Sequence, residues 1–224
     1  MKVSLNYLAF HSKDMVYEKA HEIIKLLKKE YPDVRIALHY SNPLELLIST
    51  ILSAQCTDER VNEVTEHLFK KYTTPEDYAK VPLEELEKDI YSTGFYRNKA
   101  KNIKKLSEML MNRFDSKLPE NMQDLLTLPG VARKTANIVL SNAFGKNEGI
   151  AVDTHVKRVS ARLGLTQNTN PNKIEKDLMK LVPRSDWGIF TLLFIQHGRN
   201  ICTAKKPRCN DCVLNKLCPS AFKL

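Results

Sequence analysis

The chain contains no run of about 18 apolar residues, so no helix that spans a bilayer is expected. Its opening stretch, MKVSLNYLAFHSKDMV, lacks an apolar core followed by a small-residue cleavage site, so no signal peptide is expected either. No tract is dominated by Pro, Gly, Ser or one sign of charge, and order is expected almost throughout. Sustained alternation of apolar and polar residues is missing, and with it the mark of strands. There is no internal repeat and no Gly/Ser-rich linker, so any division into domains must run through a compact interface. These absences leave the reading of a soluble, intracellular protein that makes no use of a membrane.

At 224 residues the chain is long enough for one large domain or two small ones, each with its own core. Lys and Arg outnumber Asp and Glu by 35 to 26, a net charge of +9. That excess favours a polyanionic partner such as nucleic acid without demanding one. Apolar residues recur about every 3.6 positions in nearly every segment, which predicts an all-α fold. The first predicted helix runs from about Asp14 to Glu30, with Val16, Ala20, Ile23, Ile24 and Leu27 on one face, and stops before Pro32. Others are predicted for Pro43–Ala54, Asp58–Lys71, Leu83–Ser92, Asn98–Phe114, Met122–Thr127, Val131–Ala143, Thr154–Leu163, Lys173–Leu181 and Asp186–Gln196. The lysines at 99, 101, 104 and 105 fall at helical spacing, and their plainest reading is a solvated face, with some left to steer DNA.

Of the five cysteines, Cys56 stands alone and reads as a small buried residue, whereas Cys202, Cys209, Cys212 and Cys218 are clustered. Disulfides are not expected inside a cell in a chain of this size, so the cluster reads as metal-ligand spacing. The pattern C-x6-C-x2-C-x5-C has a single C-x-x-C pair, and four thiolates suit either zinc or a [4Fe–4S] cluster. By spacing alone the two stay open.

Leu128-Pro129-Gly130-Val131-Ala132-Arg133-Lys134-Thr135-Ala136 joins two predicted helices through a Pro/Gly turn. Such a turn can aim the N–H groups at the start of the second helix outward, where they would hold a DNA phosphate without a side chain. The alternative is an ordinary helix–helix connection. The segment resembles the hairpin of the helix–hairpin–helix DNA glycosylases, L-P-G-V-G-x-K-T-A, and Ala151-Val152-Asp153-Thr154-His155-Val156 looks like the V-D-T-H segment of the endonuclease III family within that superfamily. Leu52-Ser53-Ala54-Gln55-Cys56-Thr57-Asp58 is similar to the family's L-S-A-Q-x-T-D loop, and Gly94-Phe95-Tyr96-Arg97-Asn98-Lys99-Ala100 to its G-[LFY]-Y-x-x-K-A loop. The resemblance runs from Leu47 to Pro219. One departure is Ala132 in place of the second glycine, where a methyl group could crowd the phosphate or need a negative φ.

The resemblance implies a bifunctional DNA glycosylase and abasic-site lyase of base excision repair that acts on oxidised pyrimidines. Lys134 would attack the sugar C1′, displace the base as a Schiff base forms, and cut the strand on its 3′ side by β-elimination. A lysine does this only after losing its proton, which a helix start beside Arg133 and partial desolvation would favour. Asp153 would stabilise the cationic sugar. For each residue a plainer role exists: a phosphate-binding or solvated lysine, and an aspartate capping the helix near Thr154. Gln55 would fill the space left by an everted nucleotide and Phe95 would wedge between bases, unless Phe95 packs in the core.

The resemblance also assigns the cysteines to a [4Fe–4S] cluster, whose loop would present Lys205, Lys206 and Arg208 to DNA, while Gly130, Ala132 and Arg133 contact it at the hairpin. It implies two helical domains, residues 36–147 with the hairpin and residues 1–35 plus 148–224 with the cluster, and a DNA-binding cleft between them. The expected partner is double-stranded DNA carrying damaged bases or abasic sites, bound by a monomer in the cytoplasm in association with the nucleoid. A mismatch glycosylase of the same fold is the nearest alternative, and Lys134 argues against it. A non-catalytic DNA-binding module is the other, and it leaves Asp153 without a purpose.

Overall fold

The computed structural model describes residues 3–223, with side chains from 15 onward. Every regular element among the described residues is helical, and none is long and apolar enough to cross a membrane. In chain order the α-helices are α1 (Val3–Glu30), α2 (Pro43–Leu52), α3 (Asp58–Lys71), α4 (Pro75–Lys80), α5 (Leu83–Asp89), α6 (Tyr96–Arg113), α7 (Met122–Leu125), α8 (Arg133–Phe144), α9 (Thr154–Arg162), α10 (Pro171–Leu181) and α11 (Trp187–Asn200).

Their starts are written in short polar residues. Asn42 accepts from the Glu45 amide ahead of Pro43, Thr57 from that of Arg60, and Asn170 from those of Asn172 and Lys173 ahead of Pro171. Each cap satisfies donors that the first turn leaves without a carbonyl, while proline supplies a preset φ where no N–H is needed. The α3 span agrees with its sequence prediction. Helix α1 begins at Val3 and not near Asp14. Helix α4 was missed, because six residues are too few to show a period. It is defined instead by a capping box in which Thr74 and Asp77 bond each other's backbone, with Pro75 between them.

The chain forms two compact units, one comprising Ile36–Glu148 and the other Met1–Arg35 with Gly149–Leu224. In the first, α8 packs on α2 while α6 packs on α4 and α5. Its core includes Leu46, Leu47, Ile48, Leu52, Leu86, Ile90, Ile103, Leu106 and Leu140, all fully buried, each stabilising the fold by about 1.5–3 kcal/mol through apolar burial. In the second, α9 packs on α11 and α1 packs on α10 and α11, around Ile23, Leu27, Val156, Val159, Phe190 and Phe194.

The lysines of α6 depart from the solvated-face reading. Lys101 and Lys105 are exposed, but Lys99 is buried and its Nζ donates to the carbonyls of Leu52 and Thr93, each at 2.8 Å. Lys104 is half-buried and donates to the carbonyls of Ala79 and Val81 at the end of α4. Both act as internal clamps on chain ends that helix hydrogen bonds leave unsatisfied.

Candidate active site

Helices α7 and α8 are joined through residues 126–132. Gly130 there has φ +80°, and a Cβ added to it would lie 3.0 Å from Cβ of Asn102 on α6. Conformation and space both require glycine. The next residues extend. Ala132, with φ −90° and ψ 167°, is the N-cap of α8. Any residue adopts that conformation, so the replacement of a second glycine brings no backbone strain. Helix α8 therefore starts at Arg133 and not at Val131, which is buried in the turn. The N-cap Ala132 makes no side-chain cap hydrogen bond to α8, and a helix start of this kind suits an anion.

Lys134 stands exposed on that first turn. The partial desolvation expected of it is therefore not provided by this chain. Arg133 is half-buried and engaged in an interaction of its own.

Gln55, Phe95 and Gly130 meet around one open depression of about 570 Å³, which Thr50, Ile51, Lys99 and Thr135 also line. Gln55 and Phe95 are both exposed and both left-handed, with φ of 54° and 50°. A non-glycine residue held there costs on the order of 1–3 kcal/mol, and such strain persists only where surrounding contacts enforce it. Phe95 is 63% exposed, which removes the alternative of a core residue. Cys56 is half-buried against the core and not fully enclosed.

In the second unit, Asp153 is the N-cap of α9. Its Oδ1 accepts from the Val156 amide at 2.7 Å. The capping role is thus real, and it leaves Oδ2 for other work. The next residue but one, His155, has its Nδ1 3.1 Å from the Arg158 guanidinium, so this nitrogen accepts. Burial first, and then the Arg158 and Arg199 charges, hold the His155 ring below the usual histidine range, against an opposing pull from Asp153.

The other end of α9 holds the cysteine loop. Arg158 Nε donates to the Cys202 carbonyl at 3.1 Å, and Arg162 donates to the carbonyls of Thr203 at 2.7 Å and Ala204 at 2.8 Å and to Cys202 Sγ at 3.3 Å. Cys202, Cys209, Cys212 and Cys218 line a single pocket together with Arg162 and His197. Burial pushes the Cys212 thiol up to about 11, with Cys202, Cys218 and Cys209 adding to the rise against a backbone hydrogen bond from Leu214. Thiolates at all four positions would need a cationic centre among them, and an all-sulfur donor set suits iron. His197 is buried and pushed down to about 4 by that burial, with Nε2 3.4 Å from Cys212 Sγ and Nδ1 3.1 Å from the Tyr31 hydroxyl. A ligating thiolate cannot donate, so Nε2–H must donate to sulfur and Tyr31 to Nδ1.

Lys205, Lys206 and Arg208 are all exposed, and the Arg208 guanidinium donates to the Asn200 carbonyl at 2.5 Å. The supports from Arg158, Arg162, His197 and Tyr31 were missed from the sequence. The arginines' spacing of four on a helix that leads to the cysteines was the one available signal.

Residues 48–184 match the HhH-GPD superfamily of base excision DNA repair proteins, and residues 202–218 match the iron-sulfur binding domain of endonuclease III. The chain is 54% identical over 204 residues to endonuclease III of Synechocystis sp., covering 91% of this chain and 93% of that one. It is 51% identical over 194 residues to endonuclease III of Bacillus subtilis, covering 86% and 88%. Among solved structures, a non-covalent endonuclease III–DNA complex superposes with a TM-score of 0.88 at 48% identity, covering 92% of this chain and 97% of that chain. A thermostable thymine-DNA glycosylase superposes with a TM-score of 0.84 at 29% identity, covering 92% and 98%.

The fold and the matched model make this chain a helix–hairpin–helix base excision repair protein. Within that superfamily it belongs to the endonuclease III family, and its cofactor is a [4Fe–4S] cluster.

Two outcomes follow from this geometry. Gly130→Ala should lower folding stability by about 2–3 kcal/mol, since strain and a clash combine. Gly145→Ala, at φ +65° with nothing within 4 Å of the added Cβ, should cost only about 1 kcal/mol. Equal costs in urea denaturation would show that Asn102 yields freely. Arg162→Leu should remove about 2 kcal/mol of charged hydrogen bonding from the cysteine loop. Its visible absorbance should then bleach faster under chelator than that of the parent, and an unchanged rate would assign the loop's order to the cluster alone.

Proposed function

We propose that this chain excises oxidised pyrimidines from duplex DNA and then cuts the strand, with Lys134 as nucleophile and Asp153 as the assisting carboxylate, acting on nucleoid DNA in the cytoplasm. The observation that carries the reading is Lys134 itself: an exposed primary amine on the first turn of α8, directly after the Gly130 turn, in a chain of the endonuclease III family.

In this reading the uncapped start of α8 receives a phosphate and brings the sugar of an everted nucleotide to Nζ. The nitrogen lone pair forms a bond to C1′ as the glycosidic bond breaks; the base leaves with the electron pair of the glycosidic bond and takes up a proton, and the attacking nitrogen gives one up. The Asp153 carboxylate would stabilise the positive charge that develops on the sugar. Loss of the ring oxygen from C1′ gives the imine. Removal of a C2′ proton then expels the 3′ phosphate by β-elimination. Gln55 and Phe95 fill the vacancy in the stack, where an amide can hydrogen-bond the widowed base.

Cys202, Cys209, Cys212 and Cys218 would hold the cluster, which when bound supplies the positive centre that orders their loop and is capable of one-electron redox chemistry. That loop presents Lys205 and Lys206 to the DNA backbone. A related structure is of a trapped endonuclease III–DNA covalent intermediate, 49% identical to this chain with a TM-score of 0.86. The likeness to a thymine-DNA glycosylase means that fold alone does not choose between lyase and mismatch glycosylase. In this reading the choice rests on the lysine.

Lys134→Gln should lose strand scission on duplex DNA containing an oxidised pyrimidine by at least about a hundredfold. Scission that survives in this variant would refute the nucleophile. Asp153→Asn keeps a side chain that caps helices as well as aspartate does, so α9 should stay intact while base excision falls by about a hundredfold. Excision near the parent rate would leave Asp153 with capping as its whole role.

A further inference from the structure

The buried amine of Lys99 is not used by the chemistry above, yet it touches both loops assigned to the DNA stack. Its Nζ lies 2.8 Å from the carbonyl of Leu52, the last residue of α2, and 2.8 Å from that of Thr93, at the end of the 3-10 turn Tyr91–Thr93. Just beyond the first carbonyl is left-handed Gln55, and just beyond the second, left-handed Phe95. Lys99, Gln55 and Phe95 line the same depression. The two clamped carbonyls belong to segments far apart in sequence, and each ends a helical turn that provides no N–H to meet it.

We propose that Lys99 is a positioning residue that ties the Gln55 loop to the Phe95 loop, so that the two enter DNA as one rigid wedge. This rests on the assignment of Gln55 and Phe95 to the stack. Strained tips hold their geometry only if the chain behind them is over-determined, and a single amine shared between two carbonyls supplies that restraint to both loops at once. Burial holds Lys99 below the usual lysine range, partly opposed by Cys56. The clamp tolerates either protonation state, because a neutral amine still has two N–H donors.

The test uses the cluster-loaded protein. Lys99→Met keeps the apolar stem and removes the donors. Lys104→Met, which removes a comparable clamp on the carbonyls of Ala79 and Val81, is the control. Lys99→Met should slow single-turnover base excision from duplex DNA by about tenfold or more, as loss of positioning does. It should leave β-elimination at a preformed abasic site in single-stranded DNA unchanged, since no partner base is then left unpaired. Lys104→Met should lose stability but alter neither rate. Gln55→Ala and Phe95→Ala tested alone separate the two layers: if neither slows duplex excision, the wedge assignment fails, and if they do but a folded Lys99→Met does not, the clamp fails.

Amide exchange of the unaltered protein decides the matter even if Lys99→Met does not fold. The hydrogen-bonded amides of Ala54 and Cys56 on one loop and of Thr93 and Gly94 on the other should open with a common free energy. Independent opening of the two loops would overturn the proposal.

Discussion

The turn at Gly130 is the constraint on which the candidate site depends. Its positive φ and the closeness of Asn102 leave room for hydrogen alone. That close fit lets α6 pack directly against the hairpin and sets the direction in which α8 leaves it. The uncapped N–H groups, the exposed Lys134 and the rim of the depression shared with Gln55 and Phe95 all follow from that direction. A phosphate held there by backbone dipoles would be held without regard to base sequence, as a repair enzyme that must meet lesions anywhere requires.

Helix α9 plays the corresponding part in the other unit. Its first turn is closed by the Asp153 carboxylate, and its last turns reach the cysteine loop through Arg158 and Arg162. One rigid element of nine residues is therefore capped by the Asp153 carboxylate at one end and braces the cysteine loop at the other. Gly198 on α11 permits this packing: a Cβ there would lie 3.0 Å from His155 Nδ1. The hydrogen bonds from His197 and Arg162 to sulfur show that the protein also shapes the surroundings of the ligands.

The all-α fold, most of its helices and the motifs were legible because they are local. A period of 3.6, a capping Thr57 and a Pro/Gly turn are decided within a few residues of where they act. What stayed hidden was set by partners distant in the chain. Lys99 and Lys104 share the spacing of exposed Lys101 and Lys105, and nothing in that pattern reveals that carbonyls 47 and 25 residues away close over them. Arg158 and Arg162 read as the polar face of an amphipathic helix until the loop they hold, more than 40 residues on, is folded against them. Ala132 illustrates the same limit on a small scale: its harmlessness rests on a φ of −90°, which the letter in the sequence does not state.

The claim at the centre of this account is that one amine, a turn into α8, becomes bonded to deoxyribose. Borohydride reduction during the reaction, followed by proteolysis and mass spectrometry of the adduct, locates that bond directly. The account predicts a sugar remnant on Nζ of Lys134. A remnant on a different lysine, or efficient strand cutting with no adduct formed, would contradict it.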